Sequence, residues 1–364
     1  MNRDAKVKAM NIVDKSGTAV EISAESRRLS HLHRWLKNDR RTGPTEKFFA
    51  AAQNCDDIEV SALINSGVNA NIADENGKNA LHRAAEHGCL KVVDILIKNG
   101  ANVNAIAGNN STALALVASN GTEIVDLLVK NGADVNLNAP ILDLIQSRHK
   151  DDVAIQLIRN GADVNIQRGE DRPLDFAAIF LECPENIVEQ LVNAGANLSV
   201  TDEMGRSPLS EAINDGYDRI AELYIKNGAD VNQTGNYGHT PLYLSTMRKM
   251  DNISEILINK GANINAVTSS GISPLHAAAG GGLDNVVELL IKKGANVNAR
   301  AVDGSTPLHW AAQTGTAMTV HLLLKNGADK DIETPDGKTA LDFAEMKGNR
   351  GEITRLLKPW WKFW

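Results

Sequence analysis

Aromatic side chains are scarce in this chain: 15 in 364 residues, or 4%. A folded core must therefore be built from Ala, Val, Ile and Leu. Cysteine is scarcer still. Cys55, Cys89 and Cys183 are odd in number and far apart, which excludes a disulfide framework and any CxxC metal site. The expectation is a chain with free thiols in a cytoplasmic or other reducing intracellular compartment. No stretch approaches 18 consecutive apolar residues, so no transmembrane helix is expected. The N-terminal run MNRDAKVKAMNIVDKSG lacks an apolar segment, which argues against a conventional secretory signal. The Asn-x-Ser/Thr sequons at Asn120, Asn197, Asn232 and Asn252 fall inside a regular pattern, where glycans would interfere with packing.

Positive charge is also lacking over most of the length. The formal net charge is −7, yet residues 1–45 hold ten Lys/Arg against five Asp/Glu, a net of +5 that leaves −12 for the rest. An acidic body lacks the basic face that nucleic-acid backbones require, so no nucleic-acid partner is expected.

What the sequence has in abundance is repetition. KNGADVN or a close variant recurs, with glycines at 67, 100, 132, 161, 195, 228, 261, 294 and 327, spaced by 33, 32, 29, 34, 33, 33, 33 and 33. About 20 residues before most of these stands a second signature: NALHRAA at 79–85, SPLHAAA at 273–279, TPLHWAA at 306–312, and weaker forms SPLSEAI, TPLYLST and TALDFAE. Ser273 or Thr306 can cap a helix, and Pro274 or Pro307 suits its first position, where the missing N–H costs nothing. The Ala pairs 84–85 and 311–312 keep this helix thin, so that a neighbour can approach closely. Gly88, Gly216, Gly282, Gly315 and Gly348 fit left-handed helix ends. A second helix follows, VVDILIK, IAELYIK or VVELLIK, apolar at helical spacing. Between units lie turn sequences such as DENGK at 74–78 and PDGK at 335–338.

These phased motifs resemble the ankyrin repeat over roughly residues 41–358. The resemblance implies an all-α fold: a solenoid of stacked helix-turn-helix units with short β-hairpin-like fingers. Ten units are expected, near 41–73, 74–106, 107–137, 138–166, 167–201, 202–234, 235–267, 268–300, 301–333 and 334–358. Two of them depart from the pattern. Unit four has lost about four residues from its finger, and its NAPILDLIQS start fits loosely. Unit five carries IFLECPEN between its helices and lacks the finger glycine. The interhelical glycine is replaced near His149, at Cys183 and at Lys249. These deviations read either as drift in a tolerant array or as a bend dividing the solenoid into two blocks.

No catalytic constellation is evident. The three glycines of AAAGGGLDN at 277–285 sit at a helix–turn junction, and no Lys-Ser/Thr follows them. His82, His276 and His309 occupy one slot of the repeat, where the resemblance implies that the ring braces the backbone of adjacent loops. His31 and His33 have no further ligands to complete a metal site. Trp310 is expected to pack on an inner helix. Neither enzyme activity, cofactor nor metal is expected.

The resemblance places partner contacts at fingertips and exposed first-helix ends. Those slots hold Glu203, Met204, Arg206, Asn214 and Asp215 in unit six. In unit seven they hold Asn236, Tyr237, His239, Met247 and Arg248, and in unit eight Ile272. Unit nine supplies Val302, Ser305, Gln313 and Thr314. The implied function is a non-catalytic, monomeric scaffold that binds another protein. Tyr237, His239, Met247 and Arg248 combine side-chain types favoured at interfaces.

The ends differ from the body. Residues 1–25 read as disordered or loosely ordered. Residues 26–40 read as a basic amphipathic helix carrying Leu29, Leu32, Trp35 and Leu36 on one stripe, suited to capping the stack. Pro359 ends the last helix, and Trp360, Trp361, Phe363 and Trp364 follow in the tail 359–364. That tail suits folding back as a cap, contact with a partner or secretion machinery, or insertion at an anionic membrane surface with Trp35 as a second element. The alternative function is accordingly a peripheral membrane-associated effector. Arrays of this composition resemble those that intracellular bacteria deliver into host cells, which would place it in the host cytosol.

Overall fold

The computed structural model describes residues 12–13, 19–20, 43–147, 150–169, 172–174, 185–348 and 351–358. The expectations for 26–40, Trp35, His149, Cys183 and the aromatic tail 359–364 lie outside these residues. So do most of the first 25 residues, of which Ile12–Val13 (β1) pairs antiparallel with Ala19–Val20 (β2).

Everything else regular is helical, as an all-α repeat solenoid requires. The described helices are α1 Pro44–Gln53, α2 Asp57–Asn65, α3 Ala80–Glu86, α4 Leu90–Lys98, α5 Ala113–Leu116, α6 Thr122–Lys130, α7 Pro140–Gln146, α8 Asp151–Arg159, α9 Glu185–Asn193 and α10 Pro208–Asp215. They continue with α11 Asp218–Lys226, α12 Pro241–Met247, α13 Asp251–Asn259, α14 Pro274–Gly281, α15 Asp284–Lys292, α16 Pro307–Thr314, α17 Ala317–Lys325, α18 Ala340–Met346 and α19 Glu352–Leu357. First helices pack in one row, α1 through α7 and again α10 through α18. Second helices pack in another, α2 through α19 by way of α9.

Local chemistry sets these helices. Ser207, Thr240 and Ser273 accept the backbone N–H three residues on, and proline follows each of them at the first helical position. Second helices bury one stripe: Val92, Val93 and Leu96 in α4, and Val286, Val287 and Leu290 in α15. All nine phased glycines that follow the second helices have positive φ, from 80 to 100°, where a Cβ would be strained.

An asparagine clamp then joins the layers behind these glycines. Asn265 donates to the Gly294 carbonyl (3.4 Å) and accepts from Asn296 N–H (3.0 Å). Asn71, Asn165, Asn232 and Asn298 each make the same two bonds to the following layer. Because its amide is committed in this way, Asn232 has no room for a glycan. Ser199 occupies the clamp slot in its own layer. There Gln233 Nε2 instead donates to the Ser199 carbonyl at 3.2 Å.

Four local expectations are corrected. Gly315 is extended (φ −80°, ψ −166°), not left-handed. Glycine is needed there for closeness, since a Cβ would sit 2.5 Å from Ala279 O and 2.8 Å from Ala311 Cα. Unit three is irregular as well: α5 is four residues long, and the chain leaves it at buried Val117 (φ −49°, ψ 133°). A β-branched side chain stands there where Ala84, Ala278 and Ala311 stand in full-length first helices. The finger of unit five does hold a left-handed glycine, Gly169 (φ 68°). It lies one position earlier than its counterparts. Finally, the expected absence of a disulfide is overturned, because Cys55 and Cys89 are bonded. Their separation of 34 residues is one repeat plus one, so stacking brings them together. The cysteine argument for a reducing compartment falls with it. In unit four, as expected, no finger forms. Asn138 (φ 60°) and Ala139 (φ 54°) turn the chain directly into Pro140.

Candidate interaction surface

Each finger is a five-residue turn closed by one backbone bond. Asp202 N–H donates to Arg206 O (3.0 Å), Gly235 N–H to His239 O (3.0 Å), Thr268 N–H to Ile272 O (3.0 Å) and Ala301 N–H to Ser305 O (2.9 Å). Neighbouring fingers are tied tip to tip, Asn236 N–H to Met204 O (3.0 Å), Ser269 N–H to Tyr237 O (2.7 Å) and Val302 N–H to Ser270 O (2.9 Å). The four fingers spanning 202–305 therefore form one continuous edge with fixed spacing.

A buried histidine fastens some of the fingers to the layer before them. His276 Nδ1 accepts Ser273 N–H (3.1 Å), so Nε2 carries the proton and donates to Ser305 O (3.2 Å) in the next finger. His309 makes the same two-way brace, to Lys338 O (3.2 Å), and His82 links Asn79, whose Oδ1 is 2.8 Å from its Nδ1, to Ala105 O, 3.1 Å from its Nε2. Burial holds all three imidazoles below the usual histidine range. Trp310 packs on the inner helix as expected, its Nε1 donating to Ser305 Oγ (3.0 Å) and its ring edge-on to His276 at 5.8 Å.

The sequence-selected residues separate into three groups. Met204, Tyr237 and Val302 are exposed apolar fingertips, with Tyr237 69% exposed, beside exposed Glu203 and Asn236. At the far ends of the first helices, Asp215, Met247, Arg248 and Thr314 are exposed and Asn214 and Gln313 half-buried. There Arg248 Nη2 donates to Asn214 Oδ1 at 2.6 Å, linking two layers. The third group is used internally. Arg206 is half-buried and pairs with Asp202 (2.7 Å) and Glu211 (3.3 Å). The hydrogen bond that Arg206 Nε donates to the Asp202 carboxylate holds its guanidinium above the ordinary range. Ile272 is half-buried, and Ser305 corrects its expected exposure. It is buried at 1%, donates to Asp303 Oδ1 (2.6 Å) and accepts from Trp310.

The Tyr237–His239–Met247–Arg248 group is not one cluster. Tyr237 and His239 lie where α12 begins, and Met247 and Arg248 at its other end. Seven helical residues separate those ends by roughly 10 Å. What the structure adds at the finger is Tyr243. The Tyr237 and His239 rings are 6.0 Å apart, and His239 and Tyr243 4.9 Å. Burial lowers the His239 pKa and raises that of Tyr243. Tyr243 fills the slot that holds the bracing histidine in LHRAA, LHAAA and LHWAA. The missing histidine in TPLYLST was the signal available in the sequence. Tyr237 itself is a non-glycine residue in the left-handed region (φ 61°), followed at once by left-handed Gly238 (φ 73°).

Among the described residues, no group of His, Cys, Asp or Glu is placed to hold a metal ion, and no helix is long and apolar enough to cross a membrane. A family model described as ankyrin repeats (3 copies) matches residues 22–107, 174–268, 209–301 and 275–359, and a model of the single ankyrin repeat matches 109–139. The interval 140–173, which includes the fingerless unit, lies outside both. No curated protein matches the chain.

Proposed function

Since the chain belongs to the ankyrin-repeat family, whose members are general protein–protein interaction modules, we propose that it is a non-catalytic scaffold that binds another protein. The binding face is the edge of linked fingers over 202–305 with the adjoining first-helix ends. Its centre is the aromatic step Tyr237–His239–Tyr243, flanked by Met204. The observation that carries this reading is the setting of Tyr237. A bulky side chain is held at a fingertip in a backbone conformation that costs about 1–3 kcal/mol for a non-glycine residue, with its ring turned outward. Exposed Tyr and Met on a rigid edge suit the anchor role such residues play at interfaces.

Tyr237→Gly separates the two possible reasons for that arrangement. Glycine relieves the backbone and removes the ring. A photo-crosslinking residue at Val302, two fingers along the same edge, captures the partner from the cell of origin. Glu222→Gln, on the exposed face of α11, is the control. The expected outcome is a melting temperature equal to or above wild type, with the specific cross-linked species at least tenfold weaker in Tyr237→Gly and unchanged in Glu222→Gln. Cross-linking that survives Tyr237→Gly in full would move the binding face elsewhere.

A further inference from the structure

The Cys55–Cys89 bond joins two slots that are different in kind. Cys55 follows α1, in the slot that Gly88, Gly216 and Gly282 hold after their own first helices. Like them it is left-handed, at φ 57° against 73, 80 and 71°. Lys249 holds the same slot at φ 58°, so the turn accepts a side chain, and what sets Cys55 apart is its bond to Cys89. Cys89 is the first residue before α4 and is 2% exposed, whereas Cys55 is exposed. Their Cα atoms are 4.9 Å apart, inside the range that a disulfide spans. The bond therefore ties the turn of the first described layer to the second.

Among the described residues that first layer has a neighbour on one side only. Its α1 buries Phe48, Phe49, Ala51 and Ala52, but of the nine residues of α2 only Val60 is buried, whereas α4 buries Val92, Val93 and Leu96. In a linear array each layer is held by its neighbours alone, so a covalent link has its largest effect on a layer with a neighbour on one side only. We propose that the Cys55–Cys89 disulfide is a redox-controlled staple that locks the α1–α2 layer onto α3–α4, and that thiol–disulfide exchange opens this end of the solenoid.

The asymmetry in exposure gives the exchange a direction. A small-molecule thiolate attacks the accessible Cys55 sulfur. The Cys55–Cys89 bond breaks, its electron pair leaves on Cys89 Sγ, and Cys55 is held as a mixed disulfide. The Cys89 thiolate forms at the N-terminal end of a nine-residue helix, where backbone N–H groups favour an anion. A second thiolate then attacks the outer sulfur of the mixed disulfide and releases Cys55 as a thiolate. Two small thiols have become one disulfide, and the protein disulfide has become two thiols. Re-formation runs through the same steps, with a small-molecule disulfide as oxidant.

The test uses the full chain equilibrated in buffers of graded reduced to oxidised glutathione ratio. Differential alkylation with mass spectrometry reads each cysteine, and hydrogen exchange reads residues 44–66. The expected result is that Cys55 and Cys89 titrate together as one pair. Amides of α1 and α2 should exchange at least tenfold faster in the dithiol form, with no change over 240–320. Cys55→Gly, which keeps the left-handed turn and removes the bond, should match the dithiol form at every ratio. The proposal is overturned if the two cysteines are alkylated independently, if either pairs with Cys183 instead, if exchange in 44–66 ignores the redox state, or if Cys55→Gly keeps the protection of the oxidised form.

Discussion

At the scale of the residue, the bracing histidines carry a cost that depends on pH. His276 and His309 use Nδ1 as an acceptor and Nε2 as a donor, and burial holds the pKa of both, and of His82, below 6.5, so all three are neutral when folded above that value. In the unfolded chain they titrate near 6.5. Above that value neither state binds the proton, and the full stabilisation is present. As pH falls below it, the unfolded chain takes up protons that the folded chain does not, and stability drops. A second loss follows below about 3.8, because Asp74, Asp202 and Asp303 have lowered pKa values: burial raises each, but donated hydrogen bonds outweigh it. Urea titrations between pH 7.5 and 5 should therefore show falling stability. The fall should be shallower in His276→Gln, whose side-chain amide does not titrate. An equal slope in that variant would mean that the histidine is not the titrating group. The slot was legible in the sequence because LHRAA, LHAAA and LHWAA align it. The burial of Ser305 was not, since nothing in STPLHW shows that the indole of Trp310 turns back onto the serine.

The helical elements were legible for a related reason: each has its own punctuation, repeated at about 33 residues. The nine phased glycines, the Ser or Thr caps and the prolines that follow them mark most boundaries, and the missing finger of unit four could be counted from a spacing of 29. What a count misses is shape. Val117 and Gly315 both sit at the C-terminal side of a first helix, and there the path depends on how close the neighbouring layer comes. Gly315 makes the point testable. Its φ of −80° is open to any residue, so local propensity predicts a gain in stability for Gly315→Ala. The contact geometry predicts the reverse, because the new methyl would meet Ala279 O and the Ala311 backbone. Overpacking of this kind costs about 1–3 kcal/mol. Thermal and urea unfolding of Gly315→Ala should show a loss of that size, and a neutral or stabilising result would refute the close approach.

For the whole molecule, stability is a sum over layers and the joints between them, so the weakest joint decides how the array comes apart. The asparagine clamp identifies that joint. Both bonds are made at Asn71, Asn104 and Asn165, Asn136 keeps the bond from Asp163 N–H (2.8 Å), and both are made again at Asn232, Asn265 and Asn298. At Ser199 the paired amide bonds are replaced by one contact from Gln233. The interval 140–173 that escapes the family models lies on the same side of this joint as the fingerless layer. The sequence left tolerant drift and a division into two blocks open, and Ser199 is where the paired bonds are missing altogether. The expected behaviour is stepwise unfolding. In moderate urea, hydrogen exchange over 43–169 should accelerate at a different denaturant concentration from exchange over 202–348. Ser199→Asn should restore the clamp to Gly228 and Asp230, at about 0.5–1.5 kcal/mol for each hydrogen bond regained, and draw the two transitions together. Coincident transitions in the wild-type chain would show one cooperative array. Distinct transitions that Ser199→Asn leaves unmoved would place the weak joint elsewhere, most directly at the fingerless turn through Asn138 and Ala139.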